Sequence, residues 1–95
     1  DNLVEIAHNV QIGNNCIITG NVSIAGSCII GDEVWIGPSV TINNGLKIGS
    51  KSFISMGSVI IKNLPPSSDV IGNPAEPKEL YVKKSYALLK ICKGK

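Results

Sequence analysis

Isoleucine stands at positions 6, 12, 18, 24, 30, 36, 42, 48, 54 and 60, an unbroken spacing of six. Two residues before each isoleucine comes a small or medium side chain: Val4, Val10, Cys16, Val22, Cys28, Val34, Val40, Leu46, Ser52 and Ser58. An α-helix repeats every 3.6 residues and a lone strand every two, so neither produces this pattern. A short strand followed by a turn does. The strand points the isoleucine and the residue two before it inward and the residue between them outward. The turn draws on Gly, Asn, Asp or Ser, which tolerate positive φ. Three units then close a triangular coil, and coils stack as parallel strands about 4.8 Å apart.

Eighteen residues per coil put Ile6, Ile24, Ile42 and Ile60 in one column. Ile12, Ile30 and Ile48 form a second column, and Ile18, Ile36 and Ile54 a third. With aromatics at only 4%, an ordinary globular core would be hard to fill, whereas a narrow solenoid that repeats one aliphatic side chain needs none. The outward positions divide by face: Glu5, Ser23, Thr41 and Val59; Gln11, Ile29 and Lys47; and Ile17, Trp35 and Phe53. An aligned apolar ladder such as the last is costly in water and points to self-association.

The period ends after Ile60. Leu64-Pro65-Pro66 interrupts the strand pattern, and Gly72-Asn73-Pro74-Ala75 reads as a turn. From Pro77 the pattern is helical, with Pro77 at a first helical position and Leu80, Ala87, Leu88 and Ile91 on one face. The expected organisation is therefore a repeat over residues 1–64, an exit loop over 65–76, and a C-terminal helix and tail over 77–95. That last segment carries six lysines against one acid, Glu79, a pattern usual for a solvated helix face. The chain lacks arginine, which argues against nucleic-acid binding. No apolar run is long enough to cross a membrane, and no signal peptide is evident. Cys16, Cys28 and Cys92 form no CxxC pair, which argues against zinc. Cys16 and Cys28 read as small core residues in a reducing, cytoplasmic setting. The chain begins on Asp1 and reads as a fragment of a longer protein.

His8 is the one histidine and sits at the corner after the first strand, with Gly26 and then Asn44 on the following coils. Imidazole suits proton abstraction from an amine or hydroxyl near neutral pH. A glycine-lined corner can offer a backbone N–H to a developing oxyanion. On spacing alone, a histidine that merely fills the turn fits as well.

Asp1-Asn2-Leu3, followed by Ile6-Ala7-His8-Asn9-Val10-Gln11-Ile12-Gly13 and later Ile24-Ala25-Gly26-Ser27, resembles the UDP-3-O-acylglucosamine N-acyltransferases of lipid A synthesis, within the hexapeptide-repeat acyltransferases. The similarity runs from residue 1 to about residue 64. It implies an all-β, left-handed parallel β-helix with a short C-terminal α-helix, assembled as a bacterial cytoplasmic homotrimer. It implies His8 as general base, Gly26 as oxyanion donor, and Asn2 near the nucleotide-linked amino sugar. Asn44 is the expected further substrate contact on the same corner. The donor would be a thioester, on acyl carrier protein or acetyl-CoA, without a metal. The chain departs from that family in carrying Glu5 where Gln is usual, and in lacking a second histidine where Asn44-Gly45 stands. The segment from Trp35 to Ala75 resembles acetyl-CoA-dependent sugar acetyltransferases, which offers a second enzyme reading. A non-catalytic trimerising solenoid is the third.

Overall fold

The computed structural model describes residues 3–84. Ten two-residue strands follow one another six residues apart: β1 Glu5–Ile6, β2 Gln11–Ile12, β3 Ile17–Ile18, β4 Ser23–Ile24, β5 Ile29–Ile30, β6 Trp35–Ile36, β7 Thr41–Ile42, β8 Lys47–Ile48, β9 Phe53–Ile54 and β10 Val59–Ile60. They sort into three parallel sheets. One is ordered β1-β4-β7-β10, a second β2-β5-β8, and the third contains β3, β6 and β9. Register is isoleucine on isoleucine, as in Ile6↔Ile24 and Ile24↔Ile42. This is the parallel β-helix read from the period, about four coils long, and the left-handed fold is the one the resemblance implied.

The interior is a dry aliphatic stack. Ile24, Ile30, Ile36, Ile42, Ile48, Ile54 and Ile60 are all buried, with Val22, Cys28, Val34 and Val40 between them. Cys16 is only half-buried, because it lies in the first coil, while Cys28 is fully buried. Each thiol donates to a backbone carbonyl, Cys16 to Gly31 and Cys28 to Asn43, both at 3.0 Å. In the last coil serine replaces valine. Ser52 and Ser58 are buried, but their hydroxyls donate to the carbonyls of Gly49 and Ser55 at 2.7 Å, which offsets the cost of burying a polar group.

The corners take positive φ at Asn, Ser and Gly, as the turn composition predicts, and also at Glu33 and Lys51. The left-handed residue is the third after each isoleucine from Ile6 to Ile54: Asn9, Asn15, Asn21, Ser27, Glu33 and Ser39, then Gly45, Lys51 and Gly57. The amides of these residues tie the coils together, as in Ser39 N–H to Gly20 O and Lys51 N–H to Asp32 O. The glycines directly after isoleucine serve close approach instead. A Cβ on Gly31 would lie 2.7 Å from the Ser50 amide nitrogen, and one on Gly37 would lie 2.8 Å from that of Met56.

The segment 65–76, expected as an exit loop, is partly strand. Strand β11 (Asp69–Gly72) pairs parallel with β9, and β12 (Ala75–Pro77) pairs antiparallel with β11. The coil thus continues past the end of the sequence period. Leu64 bridges Ile48, and Val70 pairs with Ile54, each sixteen residues on instead of eighteen. The shortened corner is closed by a side chain: the Lys47 N–H donates to Asn63 Oδ1 at 2.8 Å, the role a backbone carbonyl fills elsewhere. The Gly72–Ala75 turn is as read from the sequence, with Gly72 opposite Ala75. Pro77 closes β12, and helix α1 begins at residue 78 and runs through the last described residue, 84. Ala87, Leu88, Ile91 and Cys92 lie outside the described residues. On α1, Lys84 bonds Glu76 at 2.9 Å and Lys83 faces Glu79 at 3.5 Å.

Candidate active site

The corner between the β1 and β2 sheets stacks His8, Gly26 and Asn44, one from each of three coils. His8 follows Ile6 by two residues, at the tip of the turn, where a side chain must point away from the core. Its carbonyl accepts the Ser27 N–H at 3.0 Å, and the Gly26 carbonyl accepts the Gly45 N–H at 2.9 Å. These two bonds hold the three coils in register at the corner. His8 is exposed, and its imidazole makes no hydrogen bond or ion pair among the described residues.

Gly26 is half-buried, directly above His8 in the column. The amides on either side are spoken for: Ala25 N–H donates to Ile42 O and Ser27 N–H to His8 O, both at 3.0 Å. The Gly26 N–H donates to no described atom. Nor does the fold demand a glycine here, since φ is not positive and an added Cβ would meet only the His8 carbonyl oxygen, at 3.4 Å. What glycine provides is a bare surface and an open donor beside an exposed imidazole. Asn44 is exposed at the top of the column, and its own N–H is held by Asn43 Oδ1 at 2.9 Å. Asn2 lies outside the described residues. The structure therefore brings together His8, Gly26 and Asn44. Among the described residues no three His, Cys, Asp or Glu side chains gather as metal ligands.

Beside this corner lies an open groove of about 560 Å³, lined by Glu5, Ala7, Ser23, Ala25 and Thr41 with Val4, Ile6, Ile24 and Ile42. Glu5, Ser23 and Thr41 were legible as an outward ladder, but nothing in their spacing tied them to His8. The available signal was the pair Ala7 and Ala25, small residues immediately before His8 and Gly26.

On the third sheet, away from this corner, the Trp35 and Phe53 rings stack with centroids 4.3 Å apart and planes 7° from parallel. Phe53 and Ile17 remain 42% and 56% exposed, so the ladder is a real apolar surface.

Residues 27–62 match the family model described as bacterial transferase hexapeptide (six repeats). Together with the coil geometry this defines the class: the chain carries a hexapeptide-repeat β-helix of the kind found in the hexapeptide-repeat acyltransferases. It is 38% identical over 92 residues, 97% of its length, to UDP-3-O-acylglucosamine N-acyltransferase of Methylorubrum extorquens (strain PA1), and spans 26% of that relative. It is 36% identical over 75 residues to acyl-[acyl-carrier-protein]–UDP-N-acetylglucosamine O-acyltransferase of Pseudomonas aeruginosa (strain LESB58), covering 79% of this chain and 29% of the relative. The structure of a galactoside acetyltransferase in complex with coenzyme A superposes with a TM-score of 0.69 at 28% identity, covering 78% of this chain and 53% of that one. The chain thus spans about a quarter of the curated relatives it matches.

Proposed function

We propose that this chain carries the catalytic corner of an N-acyltransferase that moves an acyl group from a thioester to the amine of a nucleotide-linked amino sugar. The observation that carries this reading is an exposed His8 stacked one coil from Gly26, whose N–H has no partner among the described residues. His8 removes the proton as the amine attacks the thioester carbonyl. The Gly26 N–H donates to the oxygen that gains negative charge in the tetrahedral intermediate. The carbon–sulfur bond then breaks, and the leaving thiolate takes the proton from the imidazolium. Each step uses only groups present on this corner and the two substrates. Asn44, exposed on the next coil, contacts the sugar in this reading, and Asn2 would lie near it.

A second reading, acetyl-CoA as donor to a surface-glycan sugar, is favoured by the likeness to the coenzyme A-bound galactoside acetyltransferase. In either case the working form is a cytoplasmic homotrimer joined through Ile17, Trp35 and Phe53. The experiment is His8→Ala in the full-length protein, assayed with UDP-3-O-acylglucosamine and both donors. Turnover should fall by ~10²–10⁴-fold with sugar KM little changed. Wild-type turnover in the variant would refute the assignment.

A further inference from the structure

We infer that the outer face of the β1-β4-β7 sheet is the seat of the acceptor's hydroxyl-bearing ring, held by Glu5, Ser23 and Thr41; this rests on the acyl-transfer reading above. The groove there is lined by residues of this one sheet, by Val4 just before it and by Ala7 and Ala25 just after its strands. The outward residues Glu5, Ser23 and Thr41 of three successive coils line it, which places it on the outer face of the sheet. Ile24 and Ile42 have fully buried side chains, so they offer the groove only backbone. Its floor is the pair of methyl groups on Ala7 and Ala25. These residues immediately precede His8 and Gly26, so the groove runs into the catalytic corner.

The polar groups along it come one per coil, at the parallel-strand step of about 4.8 Å. That step is comparable to the width of one six-membered ring. The Ser23 hydroxyl already donates to Glu5 Oε1 at 3.4 Å, a long bond that leaves most of the carboxylate's accepting capacity open. An ionised carboxylate accepts only, so it favours a ligand rich in donors, such as vicinal hydroxyls. Ser23 and Thr41 can both donate and accept, and the methyl floor suits the apolar face of a sugar ring. The same carboxylate repels phosphate, so the nucleotide diphosphate leaves this face and only the sugar lies on it.

The test is acceptor kinetics in the full-length protein with UDP-3-O-acylglucosamine, comparing Glu5→Gln, Thr41→Val and Ala25→Leu with His8→Ala. All three face outward, and circular dichroism with melting temperature checks that the fold persists. The first three should each raise acceptor KM by roughly ten-fold or more, the range for losing a hydrogen bond to a charged group or blocking its seat. Their kcat and donor KM should change little. Saturation-transfer NMR with UDP-glucosamine gives a second readout: ring protons should receive more saturation than uracil protons, and Ala25→Leu should abolish that. Unchanged acceptor KM in Glu5→Gln and Thr41→Val, with turnover lost in His8→Ala, would overturn this placement and leave the acyl-transfer reading standing. Full turnover in His8→Ala would instead overturn that reading, and the placement with it.

Discussion

Ser27 donates its backbone N–H to the carbonyl oxygen of His8 at 3.0 Å, which bolts the second coil to the first at the corner where the imidazole stands. The bond consumes His8's carbonyl and Ser27's amide, while the Gly26 N–H has no partner among the described residues. The arrangement of the proposed catalytic corner is thus a by-product of the hydrogen bonding that builds the solenoid.

Gly26 separates the backbone donor from the side chain at that position. Gly26→Ala keeps the N–H, and its Cβ would meet only the His8 carbonyl oxygen at 3.4 Å, so the melting temperature should hold. Gly26→Pro removes the N–H. In variants that remain folded, kcat should fall by ~10²–10³-fold for proline and far less for alanine. Equal activities would show that this amide is not the oxyanion donor.

Trp35 and Phe53 stack at 4.3 Å on an exposed face. Trp35→Glu or Phe53→Glu should dissociate the proposed trimer, because a charge left in a packed apolar seam is costly. Light scattering on the full-length protein reads the mass directly. A wild type that runs as a monomer, or a double variant that stays trimeric, would dispose of this interface.

Ile36 is fully buried at the centre of its column, so Ile36→Ala should cost about 2–5 kcal/mol. Asn63→Ala removes the acceptor of the Lys47 N–H, an exposed bond, and should cost about 0.5–1.5 kcal/mol. Chemical denaturation measures both. A loss for Asn63→Ala as large as that for Ile36→Ala would mean that the shortened corner matters more than one hydrogen bond.

Residues 78–95 hold six of the nine basic residues, and such a cluster attracts an acidic carrier protein at low salt. Deleting them should raise the KM for acyl carrier protein and flatten its salt dependence, leaving any coenzyme A activity unchanged. Robust turnover with acetyl-CoA and none with the carrier protein would make acetyl-CoA the donor.

The period of six determined the coil, the three isoleucine columns and the identity of each outward ladder, because all of these follow from which residues alternate inward along a short strand. His8, Gly26 and Asn44 fell on one corner by the same arithmetic. Tertiary structure decided the rest. It placed the left-handed conformation at the third corner residue and gave the glycines after isoleucine the task of close approach, since the crowding atoms belong to a coil eighteen residues away. It carried the coil on through Leu64 and Val70 after the period had failed, with Asn63 Oδ1 completing a bond that no local pattern announces. It also opened the groove of Glu5, Ser23 and Thr41 beside His8. A groove depends on what neighbouring strands leave uncovered, and that is settled only when the coils stack.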